Sequence, residues 1–260
     1  MTTLAVSKPA ASSPFGDSAI MLRRNFKHTV RNPAAVFQAV LFPLIIMLMF
    51  VYVFGGAFSV GESYIDYATP GLILMAVSYG LGPTAVAVNS DMAKGIINRF
   101  KVMDVSRGAV LTGHVVSTTV RSLIADAAVI GVAFAIGFRP HASLLDWLGA
   151  VGLVILVGLA AAWMTVALGL ASKSAETAGM SAVPMIMLPF LSSAFAPADK
   201  MAPGIKQFAE YQPFTPIIET VRGLLDGQVV GSTAIVALAW TVGIGVVGYL
   251  WAISTFKKRA

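Results

Sequence analysis

Trp147-Leu-Gly-Ala-Val-Gly-Leu-Val-Ile-Leu-Val-Gly-Leu-Ala-Ala-Ala-Trp-Met-Thr-Val-Ala-Leu-Gly-Leu-Ala171 runs without one charged side chain. A helix needs about 20 apolar residues to cross roughly 30 Å of hydrocarbon, and this stretch reaches that length. Working outward, five more blocks of the same kind lie at about 34–54, 68–89, 110–138, 178–196 and 232–256. Composition agrees: 57% of the residues are hydrophobic and 12% charged, against about 25% charged in an ordinary soluble domain. A membrane barrel would show short alternating segments instead of long runs. The expected fold is therefore an all-α integral membrane protein with six transmembrane helices. Pro43, Pro83, Pro184 and Pro189 fall inside spans, where neighbouring helices can re-satisfy the freed carbonyls; they read as kinks.

Charge orients the bundle, because cytoplasmic flanks carry the Lys/Arg excess. With the N-terminus inside, the inner segments hold thirteen basic residues, from Lys8 to Arg259. The outer segments hold four, Arg139, Lys200, Lys206 and Arg222, together with seven acids. Both termini are thus expected in the cytoplasm. The net charge of +6 is explained by anionic headgroups and implies no nucleic acid. Residues 1–14 read as a flexible tail and 257–260 as a basic cytoplasmic tail. The first apolar block starts after Pro33 and is long enough to span, so it reads as a span and not as a cleavable leader. Within 15–33, apolar Phe15, Ala19, Ile20, Leu22 and Phe26 stand beside Arg23, Arg24 and Lys27. That pattern suits an amphipathic helix on the inner membrane surface; an extended basic tether is the alternative. Between 197 and 231 the chain is too apolar for a free outer loop. Its centre, Ile217 to Leu225, has helical character, with Glu219 and Arg222 on neighbouring faces, and reads as a segment dipping partly into the outer leaflet.

Several chemistries are excluded or disfavoured. There are no cysteines, hence no disulfide or thiolate metal site, and His28, His114 and His141 are scattered. No phosphate-binding Gly-x-x-x-x-Gly-Lys-Ser/Thr loop occurs, so ATP is not bound here in the usual way. Gly243-Ile-Gly245-Val-Val-Gly248 matches a dinucleotide fingerprint but lies inside the sixth span, where close helix packing is the better reading. No catalytic residue, metal ligand or cofactor is expected on this chain.

Two features carry candidate function. Arg121 and Asp126 lie inside the third span, where an ionisable group costs on the order of 3 kcal/mol and must face protein or water. Five residues apart, they point about 140° from one another and cannot pair on a straight helix. They belong to a substrate or proton path, or else Arg121 reaches back to the inner headgroups. The second feature is the loop between spans two and three. It mixes Lys94, Arg99, Lys101 and Arg107 with Ile96, Ile97, Phe100, Val102 and Met103, apolar groups that need a cover from the bilayer or another protein.

Lys94-Gly95-x-x-x-Arg99-Phe100, then Val105-Ser106-Arg107, then Gln212-Pro213-Phe214-Thr215-Pro216 followed by Arg222-Gly223 and Gly227, make the chain resemble the membrane subunit of a type 2 ATP-binding-cassette exporter. Within that family it is similar to bacterial drug-resistance permeases such as the daunorubicin exporter. The resemblance implies that Lys94, Gly95, Arg99, Phe100, Lys101 and Arg107 form a coupling loop that docks on a separate ATPase subunit. It implies that the interfacial helix with Arg23, Arg24, Phe26 and Lys27 touches the same subunit, and that Pro213, Pro216, Glu219, Arg222 and Gly223 form an outer motif. ATP and Mg would sit on the partner. Two permeases, identical or related, would pair in a bacterial plasma membrane, with Phe42, Met47, Met49, Met75, Met185 and Met187 candidate lining of the path. The implied activity is export of a drug, lipid or glycolipid. A proton- or ion-coupled carrier using Asp126, and a scaffold without transport, are the competing readings of the residues.

Overall fold

The computed structural model describes residues 37–56, 63–93 and 107–259, and every regular element among them is helical. Helix α1 (Phe42–Leu48) is flanked by wider π-helical turns at Phe37–Leu41 and Met49–Phe54. After it come α2 (Tyr64–Tyr79), α3 (Leu81–Ala93), α4 (Arg107–Ala135) and α5 (Leu144–Ala171). Two short helices follow, α6 (Ala175–Ser181) and α7 (Val183–Met187), the latter running into a tighter 3-10 turn at Leu188–Leu191. The chain closes with α8 (Ile205–Tyr211), α9 (Phe214–Leu225) and α10 (Gly231–Arg259).

Four helical stretches are long and apolar enough to cross a membrane: Tyr64–Ala93, Val110–Ala135, Leu144–Ala171 and Gly231–Lys258. They lie where the second, third, fourth and sixth spans are expected. The first and fifth expected spans coincide with shorter apolar helices, Phe42–Phe54 and Ala175–Leu191. The latter is interrupted because Pro184 and Pro189 lack the N–H that would continue the ladder. The second span breaks at Gly80, between α2 and α3. Pro83, three residues later, has no N–H to offer the Tyr79 carbonyl, so the interruption falls a turn before the proline itself.

Helix ends depart from the apolar limits for local reasons. Helix α5 starts three residues before the tryptophan because Ser143 and Asp146 form a reciprocal cap. Ser143 Oγ accepts from the Asp146 N–H at 3.3 Å and Asp146 Oδ2 from the Ser143 N–H at 2.9 Å, the capping-box arrangement. Helix α4 stops at Ala135, short of Phe138, because Gly137 takes φ 114° and Phe138 N–H turns back to the Ala133 carbonyl at 2.9 Å. A glycine in that region is the usual way to end a helix.

Helix α5 is the axis of packing: α10 lies along it, α3 and α4 flank it, and α9 crosses one end. Close approach of α10 depends on Gly248, where a Cβ would come within 2.6 Å of the Met164 backbone nitrogen. Of the three glycines that formally match a nucleotide fingerprint, Gly248 and Gly245 therefore face α5, as small residues do between membrane helices, while Gly243 faces open space. One large core joins α2, α4 and α9 with residues 194–195; a second, around Val88, Leu111, Val166, Leu170 and Phe256, closes the other end. Helix α10 turns Ile235, Val242, Val246, Val247 and Leu250 outward, a face suited to lipid.

Gly248→Ala should separate α5 and α10 and lower the thermal midpoint of the detergent-solubilised protein, with overpacking of about 1–3 kcal/mol. Gly243→Ala, with open space around the new methyl, should leave that midpoint unchanged.

Candidate functional site

Polar groups collect in two places, at opposite ends of the α2–α3 stretch. From Tyr67 to Asp91 the rise of 1.5 Å per residue puts them roughly 35 Å apart.

At the α3–α4 end, His114, Thr118 and Arg121 recur on one face of α4. His114 Nε2 lies 3.2 Å from Asp91 Oδ2. One turn on, Thr118 Oγ1 donates to the His114 carbonyl at 2.8 Å and sits 2.7 Å from Thr84 Oγ1. Arg121 then donates from Nη2 to Thr84 Oγ1 at 2.7 Å and to the Gly80 carbonyl. Its guanidinium thus ties α4 to the break between α2 and α3. Asn89 extends the polar seam to α5, donating to the carbonyls of Gly169 at 3.2 Å and Ser172 at 2.8 Å.

Asp126 is separate from this ladder. The residue is 4% exposed, and among the described residues neither carboxyl oxygen finds a hydrogen-bond partner. Ser122, one turn earlier on the same face, also has a buried hydroxyl without a partner among the described residues, placed against Gly80. Ionisable groups buried within a membrane segment mark functional positions more often than structural ones.

At the other end, α9 builds a cleft of about 370 Å³ whose wall includes Tyr67, Ser193, Asp199, Glu210, Glu219 and Arg222. Pro213 stands at the N-cap of α9 and Pro216 in its first turn, where a missing N–H is tolerated. Gln212 sets the entry: its Oε1 accepts from the Phe214 N–H at 3.0 Å, and its Nε2 reaches the Leu188 carbonyl at 3.4 Å. Arg222 points back across the fold. Its Nε donates to the Tyr67 carbonyl at 3.1 Å, its Nη2 to the Ser193 carbonyl at 2.8 Å, and its Cζ lies 3.9 Å from the centroid of the Tyr67 ring. The Tyr67 hydroxyl donates to the same Ser193 carbonyl at 2.9 Å, and the Ser193 N–H to Thr215 Oγ1 at 3.2 Å. Gly71 lets this segment close onto α2, because a Cβ there would fall 2.5 Å from the Ala194 Cβ. Burial lifts the Asp226 carboxyl above the usual carboxylate range; Arg222 draws it down, Asp66 raises it and His141 lowers it.

The family model for the ABC-2 type transporter matches residues 18–225, which takes in both polar clusters and the segment between α3 and α4. The chain belongs to the ABC-2 type transporter family. Among relatives, it is 30% identical over 221 residues to the daunorubicin resistance ABC transporter permease protein DrrB1 of Streptomyces coeruleorubidus, covering 84% of this chain and 74% of that protein. It is 24% identical over 209 residues to ycf38 of Porphyra purpurea, which is given the name of a transport permease; the match covers 78% of this chain and 71% of that one. The chain is thus a membrane permease of ATP-binding-cassette type.

On this ABC-2 permease, Lys94, Gly95, Arg99, Phe100 and Lys101 lie outside the described residues, as do Arg23, Arg24, Phe26 and Lys27. Arg107 opens α4. Arg121 and Asp126 do not meet. Glu219, Arg222, Pro213 and Pro216 gather in and beside one cleft, with Gly223 packed against Val230. Met47 and Met75 are fully buried in the core, whereas Met187 is exposed. The sequence did not single out Tyr67, Ser193 or the Asp91–His114 pair. A signal existed only for the tyrosines: Tyr64 and Tyr67 lie three apart at the head of an apolar helix, and Tyr64 also donates to this segment, at the Phe195 carbonyl, at 3.1 Å.

Arg222→Lys keeps the charge but loses the fork, so each surrendered carbonyl contact should destabilise by about 1.5–3 kcal/mol, read as a lower thermal midpoint. Asp126→Leu should instead raise the midpoint, since an unsatisfied buried polar group costs about 1–3 kcal/mol; a fall would mean that the carboxyl has a partner in the assembled protein.

Proposed function

We propose that this chain is the permease subunit of an ATP-driven exporter of hydrophobic or amphipathic compounds, powered by a separate nucleotide-binding subunit. The observation that carries the reading is the match to the daunorubicin resistance permease over most of both chains, in a sequence with no phosphate-binding loop of its own. ATP and Mg belong to the partner, and this chain is non-catalytic. The six-span arrangement with both termini in the cytoplasm is supported by four long and two shorter apolar helices and by the one-sided distribution of Lys and Arg. The bacterial plasma membrane is the expected location.

In this reading the segment that joins α3 to α4 docks on the ATPase through Lys94, Gly95, Arg99, Phe100, Lys101 and Arg107. The 15–33 segment lies along the inner surface beside it. Two copies pair in the membrane, and lipid covers the remaining apolar faces. The first apolar helix supports pairing, since Phe37, Leu41, Ile45, Leu48 and Tyr52 form one exposed stripe at helical spacing. ATP binding then shifts the population of the paired permeases between two arrangements, to the extent that the nucleotide-bound ATPase binds them differently.

Asp126 favours a second reading, a proton-coupled carrier, because its buried oxygens have no partner among the described residues. Liposomes separate the two. Transport should require the ATPase subunit and ATP, and uptake driven by a proton gradient without any ATPase would overturn the exporter. Arg99→Glu or Lys101→Glu should abolish ATP-dependent transport and co-purification of the ATPase while membrane insertion is retained; unchanged transport in both variants would remove the docking role.

A further inference from the structure

Helix α3 ends at Ala93 and α4 begins at Arg107, so the segment proposed to dock on the ATPase joins the ends of these two helices. The direction of α3 is therefore the direction in which that segment is presented. The α2–α3 stretch leaves regular helix at Gly80, where Arg121 holds the carbonyl; contacts further along α3 decide its angle. Their lever arms rank them. Thr84, paired with Thr118, stands one turn from Gly80, about 6 Å, where a slip of about 1 Å turns the helix by roughly 10°. Asp91 stands three turns out, about 16 Å, where the same slip turns it by only roughly 3.5°. Contacts at the tip set the angle most finely.

Two side chains hold that tip, on opposite sides. Asn89 and Asp91 are two residues apart and so point about 200° from one another around the helix. Asp91 Oδ2 lies 3.2 Å from His114 Nε2 on α4, with both side chains mostly buried; a carboxylate only accepts, so the imidazole N–H donates. Asn89, also buried, donates from Nδ2 to the Gly169 carbonyl at 3.2 Å and the Ser172 carbonyl at 2.8 Å. These carbonyls close the end of α5, where a helix leaves its last carbonyls without a donor of its own. Gly169 lets α3 lie close enough, since a Cβ there would come within 2.6 Å of the Ala85 carbonyl oxygen. Apolar side chains of the same shape would pack the tip about as stably, but without direction. Hydrogen bonds on two opposite faces fix an angle.

We infer that Asn89, Asp91 and His114 are positioning residues that hold the tip of α3 at one angle between α4 and α5, so that the docking segment meets the ATPase ready oriented. This role rests on the proposed docking of Lys94 to Arg107 on the ATPase. When the competent arrangement is only a fraction of the population, apparent affinity falls by that fraction, and the two-sided grip keeps the fraction near one. The same contacts carry a displacement of the segment into α4 through His114 and into α5 through Asn89.

The chain has no cysteine, so spin labels at Ala93→Cys and Lys173→Cys, both exposed positions, report the angle of α3 against the end of α5. The full-length labelled chain in nanodiscs, diluted with unlabelled copies and without ATPase, should give one narrow distance distribution. His114→Leu and Asn89→Leu should each broaden it, while His114→Gln, whose amide nitrogen takes the place of Nε2, keeps it narrow. A broad distribution in the labelled chain with no further substitution would overturn the inference regardless of how the variants fold. So would a narrow one in the Asn89→Leu/His114→Leu double variant. The second measurement is the affinity of the same nanodiscs for the ATP-binding-cassette subunit that co-purifies with the chain. His114→Leu should weaken it about tenfold, the factor equivalent to one hydrogen bond to a charged group, and His114→Gln should leave it near the wild-type value. Unchanged affinity in a variant with a broad distribution would remove the positioning role, as would equal weakening in His114→Gln with a narrow one. If no such subunit binds the wild-type chain, the exporter reading falls and the positioning role with it, whereas the label distances still decide whether the tip is held.

Discussion

A backbone carbonyl inside hydrocarbon must find a donor, and where this chain interrupts its helices an arginine supplies one. Regular helices satisfy their own backbone, which is why they are the default in lipid. Among the described residues, two of its departures from them lie at Gly80 and between Leu191 and Pro197. Arg121 reaches the Gly80 carbonyl and Arg222 the Ser193 carbonyl. Both come from a neighbouring helix, so each repair also binds two elements together. The two interruptions and the two arginines are therefore one design, and both polar clusters are organised around it.

How far this was legible in the sequence depends on the range of each interaction. Spans at α2–α3, α4, α5 and α10 follow from apolar length alone, because hydrocarbon thickness sets that length. Their ends do not, because Ser143 with Asp146 and the left-handed Gly137 act over three or four residues outside the apolar run. Prolines 184 and 189 were visible, but their effect, a tightening into a 3-10 turn, depends on what packs against them. The Arg222 bonds were out of reach: the partner Ser193 is 29 residues away and Tyr67 is 155 residues away in the chain. Reading the histidines as scattered was correct along the chain and missed the fold, which sets His114 against Asp91 over 23 residues. Glu219 and Arg222 were noted as near neighbours on one helix; the structure gives them different tasks, one on the cleft lining and one in its wall.

The two clusters share a helix. Helix α2 begins at the cleft with Tyr64 and Tyr67, and α3 ends with Asn89 and Asp91 just before the segment proposed to meet the ATPase. The cleft end is built from aromatic rings and backbone carbonyls held by short contacts; the other end is a seam of hydroxyls, one amide, the His114–Asp91 pair and the Arg121 guanidinium. Seams of exchangeable hydroxyl contacts can slide between nearly equivalent pairings, whereas a guanidinium bound to two fixed carbonyls resists displacement. In the proposed exporter the compliant end is the one that faces the motor.

The break at Gly80 gives that asymmetry a mechanical meaning. A continuous helix transmits a tilt from one end to the other as a rigid rod. At Gly80 the α2–α3 stretch leaves regular helix for one residue, and its carbonyl accepts from Arg121 of α4 and from Thr84 Oγ1. In the proposed exporter a sideways push on α3 would turn it about this point while α2 keeps its contacts at the cleft, so force arriving at one face would become a change of angle inside the bundle.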